Sequence, residues 1–354
     1  MKIYIRATGN ISPQKTFGHP LLLTEPAHYT GNRLSCIEPD YKEWIDIKLI
    51  RRMSRIIKMG VATATECLRE AGELMPGAII TGTAYGCLED TGLFLAKMVD
   101  NNEELLTPTA FIQSTHNTVG AQIALMLNCH CYNNTFVHRG FSFESALLDA
   151  MMLLLEKEAG NVLVGSVDEI TNMSHTILSR FGLYKQEAAS DKLYTLPASR
   201  GTIAGEGAAF FLLAAEPSST DYGCLDALTT FYKPRNAEEV EEQIVSFLSS
   251  QQLVMDDIDL IITGRNGDSK GDQGYHLLSR SVFNNKLLSN YKNLCGEYPT
   301  SGSFAMWLAA WIVKGGVMPI ALGLENNPEK PVKRILIYNH YQNIHHSLLL
   351  ISAC

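Results

Sequence analysis

The chain has 354 residues, more than the roughly 250–300 that one hydrophobic core usually serves, so two cores or a duplicated unit is expected. With 46% apolar residues, 19% charged residues and 27 Gly against 13 Pro, the composition excludes a disordered, collagenous or coiled-coil chain. A formal net charge of −8 gives no global attraction to nucleic acid or anionic lipid, so neither is expected as a partner.

The opening segment MKIYIRATGNISP alternates like a strand, ends in a Gly/Pro turn and has no apolar signal region, which places the chain in the cytoplasm as an expectation. Apolar runs at 146–155 and 304–313 fall short of the roughly 20 residues a bilayer demands, so no membrane span is expected. Eight cysteines are scattered without the paired density of a secreted scaffold and are read as free thiols. Cys129-His130-Cys131 offers metal-type ligands without a second pair at zinc spacing, so no metal site and no cofactor are expected. His345 and His346 are adjacent on a predicted strand, point to opposite faces and cannot chelate together.

From Ile47 a helical pattern runs to Gly72. On it Lys48, Arg51, Arg52 and Arg55 fall at i, i+3, i+4 and i+7 and share one face, with Ile47, Ile50, Met53 and Ile57 free to point inward. This is a basic stripe on an acidic protein, which reads either as an ordinary solvated helix face or as a docking surface for an acidic partner.

The same unit then occurs twice. Ile-Ile-Thr-Gly stands at 79–82 behind one helical pattern and at 261–264 behind another, 238–248. An all-round apolar helix at 142–156 leads into the strand 161–165, and its counterpart at 303–314 leads into 317–322. Short continuous apolar runs at 79–82, 161–165, 207–214, 258–263, 334–338 and 347–352 read as strands buried on both faces. Helices that are apolar all round must lie between layers. The expected fold is therefore α/β, with two related halves in five layers αβαβα, two sheets enclosing a central helical layer. The halves are placed at 1–219 and 220–354, divided within the polar stretch Glu216-Pro-Ser-Ser-Thr-Asp221.

Five short motifs occur in an order that resembles the β-ketoacyl synthases, condensing enzymes of fatty-acid and polyketide assembly with a thiolase-like fold. They are the basic helix from Ile47, Asn117-Thr-Val-Gly-Ala-Gln-Ile-Ala124, Ser199-Arg-Gly-Thr-Ile-Ala-Gly-Glu-Gly-Ala-Ala209, Gly264-Arg-Asn-Gly-Asp-Ser-Lys-Gly-Asp272 and Lys292-Asn-Leu-Cys-Gly-Glu297. The resemblance implies a nucleophilic cysteine at a helix start, where the helix dipole favours thiolate, and two histidines beside it. Laid over this chain, those three positions fall on Gly140, Gly264 and Glu297, while the neighbouring Lys292 and Asp272 are retained. Glycine can neither attack nor carry a proton, so no catalytic residue and no autonomous condensation are expected. The glycine-rich loop that completes the family's oxyanion hole is replaced by Tyr338-Asn-His-Tyr-Gln-Asn343.

The resemblance is to chain-length-factor-type homologues of aryl polyene and flexirubin clusters, noncatalytic partners of an active ketosynthase. It implies dimerisation with that ketosynthase or with a second copy, and contact with acyl carrier protein through Lys48, Arg51, Arg52 and Arg55. It also implies that Phe111, Ile112 and His116 lie at the dimer interface and border a tunnel. Core packing of Phe111 and Ile112, and a local hydrogen bond for His116 at the next helix start, are the competing readings. A second functional class stays open: an acyltransferase or hydrolase on the same fold using Ser142 with His138, or Glu297.

Overall fold

The computed structural model describes residues 2–18, 24–195, 199–315, 319, 322 and 331–354. In the first half of the chain the order is β1 (Ile3–Ile11), α1 (Ile47–Ile50), α2 (Arg55–Ala71), β2 (Ala78–Gly82), α3 (Leu88–Asp100) and α4 (Pro108–Gln113). Then come α5 (Thr118–Leu127), β3 (Tyr132–Phe136), α6 (Ser142–Leu155), β4 (Asn161–Asp168), α7 (Asn172–Arg180) and β5 (Gly207–Ala214). The remainder is β6 (Gly223–Tyr232), α8 (Ala237–Ser250), β7 (Leu260–Thr263), α9 (Gln273–Leu278), β8 (Leu288–Asn290), α10 (Lys292–Cys295), α11 (Gly302–Gly315), β9 (Arg334–Tyr341) and β10 (His345–Ser352).

Strand order repeats. The sheet runs β3-β2-β4-β5-β1-β6-β10-β9-β7-β8, so adding five to each strand of the first set, β3-β2-β4-β5-β1, gives β8-β7-β9-β10-β6. In both sets the two outer ladders are parallel and the remaining ones antiparallel. The repeated Ile-Ile-Thr-Gly segments occupy equivalent strands, β2 and β7.

The fold is mixed α/β with the expected layering. One core joins α6 and α11 to the facing sides of both strand sets, through Phe143, Leu147, Leu154, Phe304, Leu308, Val164, Phe211, Ile337 and Leu349. A second core packs α2 on the outer face of the first set, and a third packs α8 and α9 on the outer face of the second. α11 is apolar all round because it is covered from all sides, with eleven of its residues buried, whereas α6 leaves Leu148, Met152 and Leu155 exposed.

Three expectations are corrected. The two sheets are one, because Ile3–Ile5 of β1 pair with Gly223–Leu225 of β6. The helix from Ile47 to Gly72 is broken: α1 ends at Ile50, and Ser54 is extended at φ −69° and ψ 174° before α2 begins. The intervening Met53 is buried while Ile47 is exposed, so the inward face proposed for an unbroken helix does not exist. Strands β3, β6 and β8 are additional; β3 is an edge strand with the polar sequence YNNTF, which lacks any buried-strand signal. The strand expected at 317–322 lies largely outside the described residues.

Candidate functional site

β9 and β10 form a hairpin whose turn, Gln342-Asn343, has φ of 56° and 53°. Both residues are left-handed, a region Asn tolerates well, and the Ile344 N–H closes the turn on Tyr341 O, so three residues connect the paired Tyr341 and His345. A tight turn therefore stands where a glycine-rich loop was looked for. It presses Tyr341 and His345 onto the short turn Arg139–Phe141 that precedes α6.

Gly140 is closed off by this contact. A Cβ there would lie 2.6 Å from Cβ of Tyr341 and 3.0 Å from Cβ of His345, closer than carbon atoms pack. Phe141 stacks edge-on against His345 at 4.7 Å between ring centroids and completes the plug. Gly264, one residue beyond β7, is equally occupied: a Cβ there would meet Asn339 Oδ1 at 2.0 Å. Asn339 and Tyr341 are two residues apart on β9 and project from the same face of the strand, so one strand face fills both positions.

The third position differs. Glu297 receives Lys292 Nζ at 2.7 and 2.9 Å and Asn266 Nδ2 at 2.5 Å. Lys292 is fully buried and the Glu297 side chain nearly so. Burial raises the Glu297 carboxyl, and the charge of Lys292 is the largest influence holding it down. Asp272 fixes the adjacent loop by accepting from the backbone N–H groups of Asn266 and Gly267, both at 2.9 Å. Asp268 accepts from Gly201 N and Arg200 Nε, tying the 199–209 segment to the 264–272 segment. The motif segments 199–209, 264–272 and 292–297 thus converge.

A cavity of ≈380 Å³ opens on this side, walled by Tyr85, Asp168, Glu169, Tyr184, Glu297 and Tyr341 among others. Asp168 is buried and accepts from Thr83, Ala84 and Thr300; burial raises its carboxyl and these donors offset it. Glu169 is pushed up to about 7, chiefly by burial. Cys295, beside Glu297, is buried and its thiol lies well above the ordinary range, first through desolvation, so it is not a thiolate nucleophile.

Ser142 is buried and its hydroxyl donates to Arg139 O and accepts from His138 N, both at 2.8 Å. It holds the turn before α6. Its hydrogen bond to His138 goes to the backbone and not to the ring, so the structure does not assemble the Ser142/His138 couple.

Phe111 and Ile112, on α4, are 58% and 61% exposed in the single chain, which excludes core packing. His116 lies against Gly86, and the polar links at the α4–α5 junction are made by Thr115 and Thr118. Of the basic residues, Lys48, Arg51 and Arg52 are exposed. Arg55 is taken up by a bidentate pair with Glu206 at 2.6 and 2.7 Å and by Glu38 at 2.6 Å. The four residues do not form one stripe, because α1 ends at Ile50 and α2 begins only at Arg55. Sequence reasoning missed Asn339 and Tyr341; the missing glycines around them were the available signal.

Residues 38–181 match the family model described as beta-ketoacyl synthase, N-terminal domain. Over those residues the sequence is similar to the ketosynthases. Three solved structures share its fold at full length. The ishigamide ketosynthase/chain length factor matches 100% of this chain and 99% of its own at a TM-score of 0.80 and 16% identity. The ketosynthase (ApeO) in complex with its chain length factor (ApeC) from Xenorhabdus doucetiae gives 100% and 98% coverage, 0.78 and 15%. AntDE:AntF, described as a type II PKS acyl-carrier protein in complex with its ketosynthase bound to the hexaketide, gives 100% and 99%, 0.73 and 14%. At such identities the likeness establishes a thiolase-like ketosynthase fold. No curated protein matches the sequence. Among the described residues no helix is long and apolar enough to cross a membrane, and no group of three or more His, Cys, Asp or Glu could hold a metal.

Proposed function

We propose that this protein is a noncatalytic ketosynthase-like subunit of the chain-length-factor type. It pairs with an active ketosynthase in a cytoplasmic fatty-acid or polyketide elongation system of the aryl polyene kind. The observation that carries the reading is the occupation of two vacated catalytic positions by one strand face, Asn339 against Gly264 and Tyr341 against Gly140. A side chain that merely mutated away would leave a hole; here the space is structurally committed.

Pairing is supported by an apolar surface that a monomer would have no reason to expose. Leu93, Val99, Phe111, Ile112, Met173 and Phe181 on or next to α3, α4 and α7 are all more than half exposed. Neighbouring structures include a ketosynthase with its chain length factor and one with its acyl-carrier protein. Carrier-protein contact on this chain falls to Lys48, Arg51 and Arg52, where charge would speed encounter more than it would tighten binding.

The reading is tested by co-expression with an active condensing enzyme of the same pathway. A stable heterodimer is expected, and Phe111→Asp with Ile112→Asp should abolish it. A self-dimer that transfers or hydrolyses acyl groups in isolation would overturn the proposal in favour of altered chemistry at Glu297 or Ser142. Arg51→Glu with Arg52→Glu should slow carrier-protein association; an unchanged rate assigns docking to the partner subunit.

A further inference from the structure

β6 is the strand through which the two strand sets join: its Cys224 pairs with Tyr4 of β1 on one side and with Ser352 of β10 on the other. Alternate residues of an extended chain share a face, so Cys354, two beyond Ser352, returns to the side that carries Cys224. The two Sγ atoms stand 3.1 Å apart although 130 residues separate them in the chain. That is closer than unbonded sulfur atoms ordinarily pack. It is about 1 Å from the length of a disulfide bond, a gap that small side-chain rotations can close.

The pair is asymmetric. Cys354 is exposed, whereas Cys224 is fully buried and touches solvent only through its partner's sulfur. Burial pushes the Cys224 thiol up to about 12, and contact with Cys354 adds to the rise. β10 ends at Ser352, so Cys354 can shift without breaking a ladder hydrogen bond.

We propose that Cys224 and Cys354 form a reversible disulfide with a low-molecular-weight disulfide, such as oxidised glutathione, as the oxidant. The Cys354 thiol loses its proton and attacks one sulfur of the oxidant, which gives a mixed disulfide and expels one thiolate. Cys224 then loses its proton and attacks the Cys354 sulfur, closing the internal bond and expelling the second thiolate. Each expelled thiolate takes up the proton its attacker lost, so the protein gives up two electrons and two protons and the oxidant leaves as two thiols. Because Cys224 holds its proton tightly, the second step is the slower one. The bond fastens the joining strand to the end of β10, and in a reducing compartment it is a sensor and not a permanent staple. It shares no residue with the Glu297 cavity or with the closure of Gly140, so it stands or falls independently of the pairing proposal.

The test incubates the reduced full-length protein with oxidised glutathione, alkylates the remaining thiols and maps the peptides by mass. Cys224 and Cys354 should escape alkylation and appear in one linked peptide pair, without glutathione, and dithiothreitol should restore all eight thiols. Cys224→Ser should stop with glutathione on Cys354. Cys354→Ser, at an exposed position that folding tolerates, should leave Cys224 as the thiol. A wild-type chain that stops at the mixed disulfide overturns the proposal. So does a bond between Cys129 and Cys131, or between two chains through Cys354, formed in place of the internal pair.

Discussion

The two sides of Tyr341 contrast. Toward α6 its Cβ closes Gly140, and Phe141 and His345 complete an apolar plug. Toward the 264–272 and 292–297 segments its ring borders a cavity with Glu169, Asp168 and the Glu297–Lys292 pair. One side has lost its space and the other has kept both space and charge. A nucleophile position can be filled by packing alone, because glycine leaves nothing polar to satisfy. The Glu297 side cannot collapse so cheaply, since Lys292 is buried and would be left unpaired.

The largest effect should come from breaking the charged side. Glu297→Ala strands Lys292 and should cost about 3–5 kcal/mol in denaturant unfolding; a loss near zero would mean that the pair is not sealed from water. On the closed side, Gly140→Cys should cost about 1–3 kcal/mol through overpacking and confer no condensation. The clash is with Tyr341 Cβ, so Tyr341→Gly should relieve it in a double-mutant cycle while Tyr341→Ala should not. Measurable turnover by Gly140→Cys alone would refute the argument that Gly264 and Glu297 have lost the histidine functions.

The open side should also be sensitive to pH. Glu169 has a folded pKa of about 7 against an ordinary 4.5, so its stabilising effect is fully present below about 4.5 and is lost as pH rises through 7. Unfolding free energy should therefore fall across that window by about 3 kcal/mol on this account, and Glu169→Gln should flatten the fall. An unaltered pH profile in the variant would show that Glu169 is solvated. The smallest change is Ser142→Ala, about 1 kcal/mol from the lost turn hydrogen bonds. Labelling by a serine-directed phosphonate, expected to be absent, would put Ser142 in the exposed role that the structure denies it.

Much of the fold was legible because burial leaves a local pattern. The Ile-Ile-Thr-Gly repeats, the continuous apolar strands and the all-round apolar helices 142–155 and 302–315 each report their own surroundings. The helix break was less legible: the basic and apolar spacing continued through Arg51–Ser54, yet the pairing of Arg55 with the distant Glu206 competes with a continuous helix face. Polar β3 gave no buried-strand signal, because an edge strand needs none.

The site divided in the same way. That Gly140 and Gly264 carry no side chain is a fact of the sequence, and it alone excludes nucleophile and base at those positions. The sequence likewise determined the duplicated α/β halves and the retained Lys292 and Asp272. Only the tertiary structure decided that Tyr341 and Asn339 fill the empty positions, that Phe111 and Ile112 face outward, and that Cys224 meets Cys354. Periodicity is a property of neighbouring residues, whereas these contacts join segments far apart in the chain, and their outcome rests on how the layers pack.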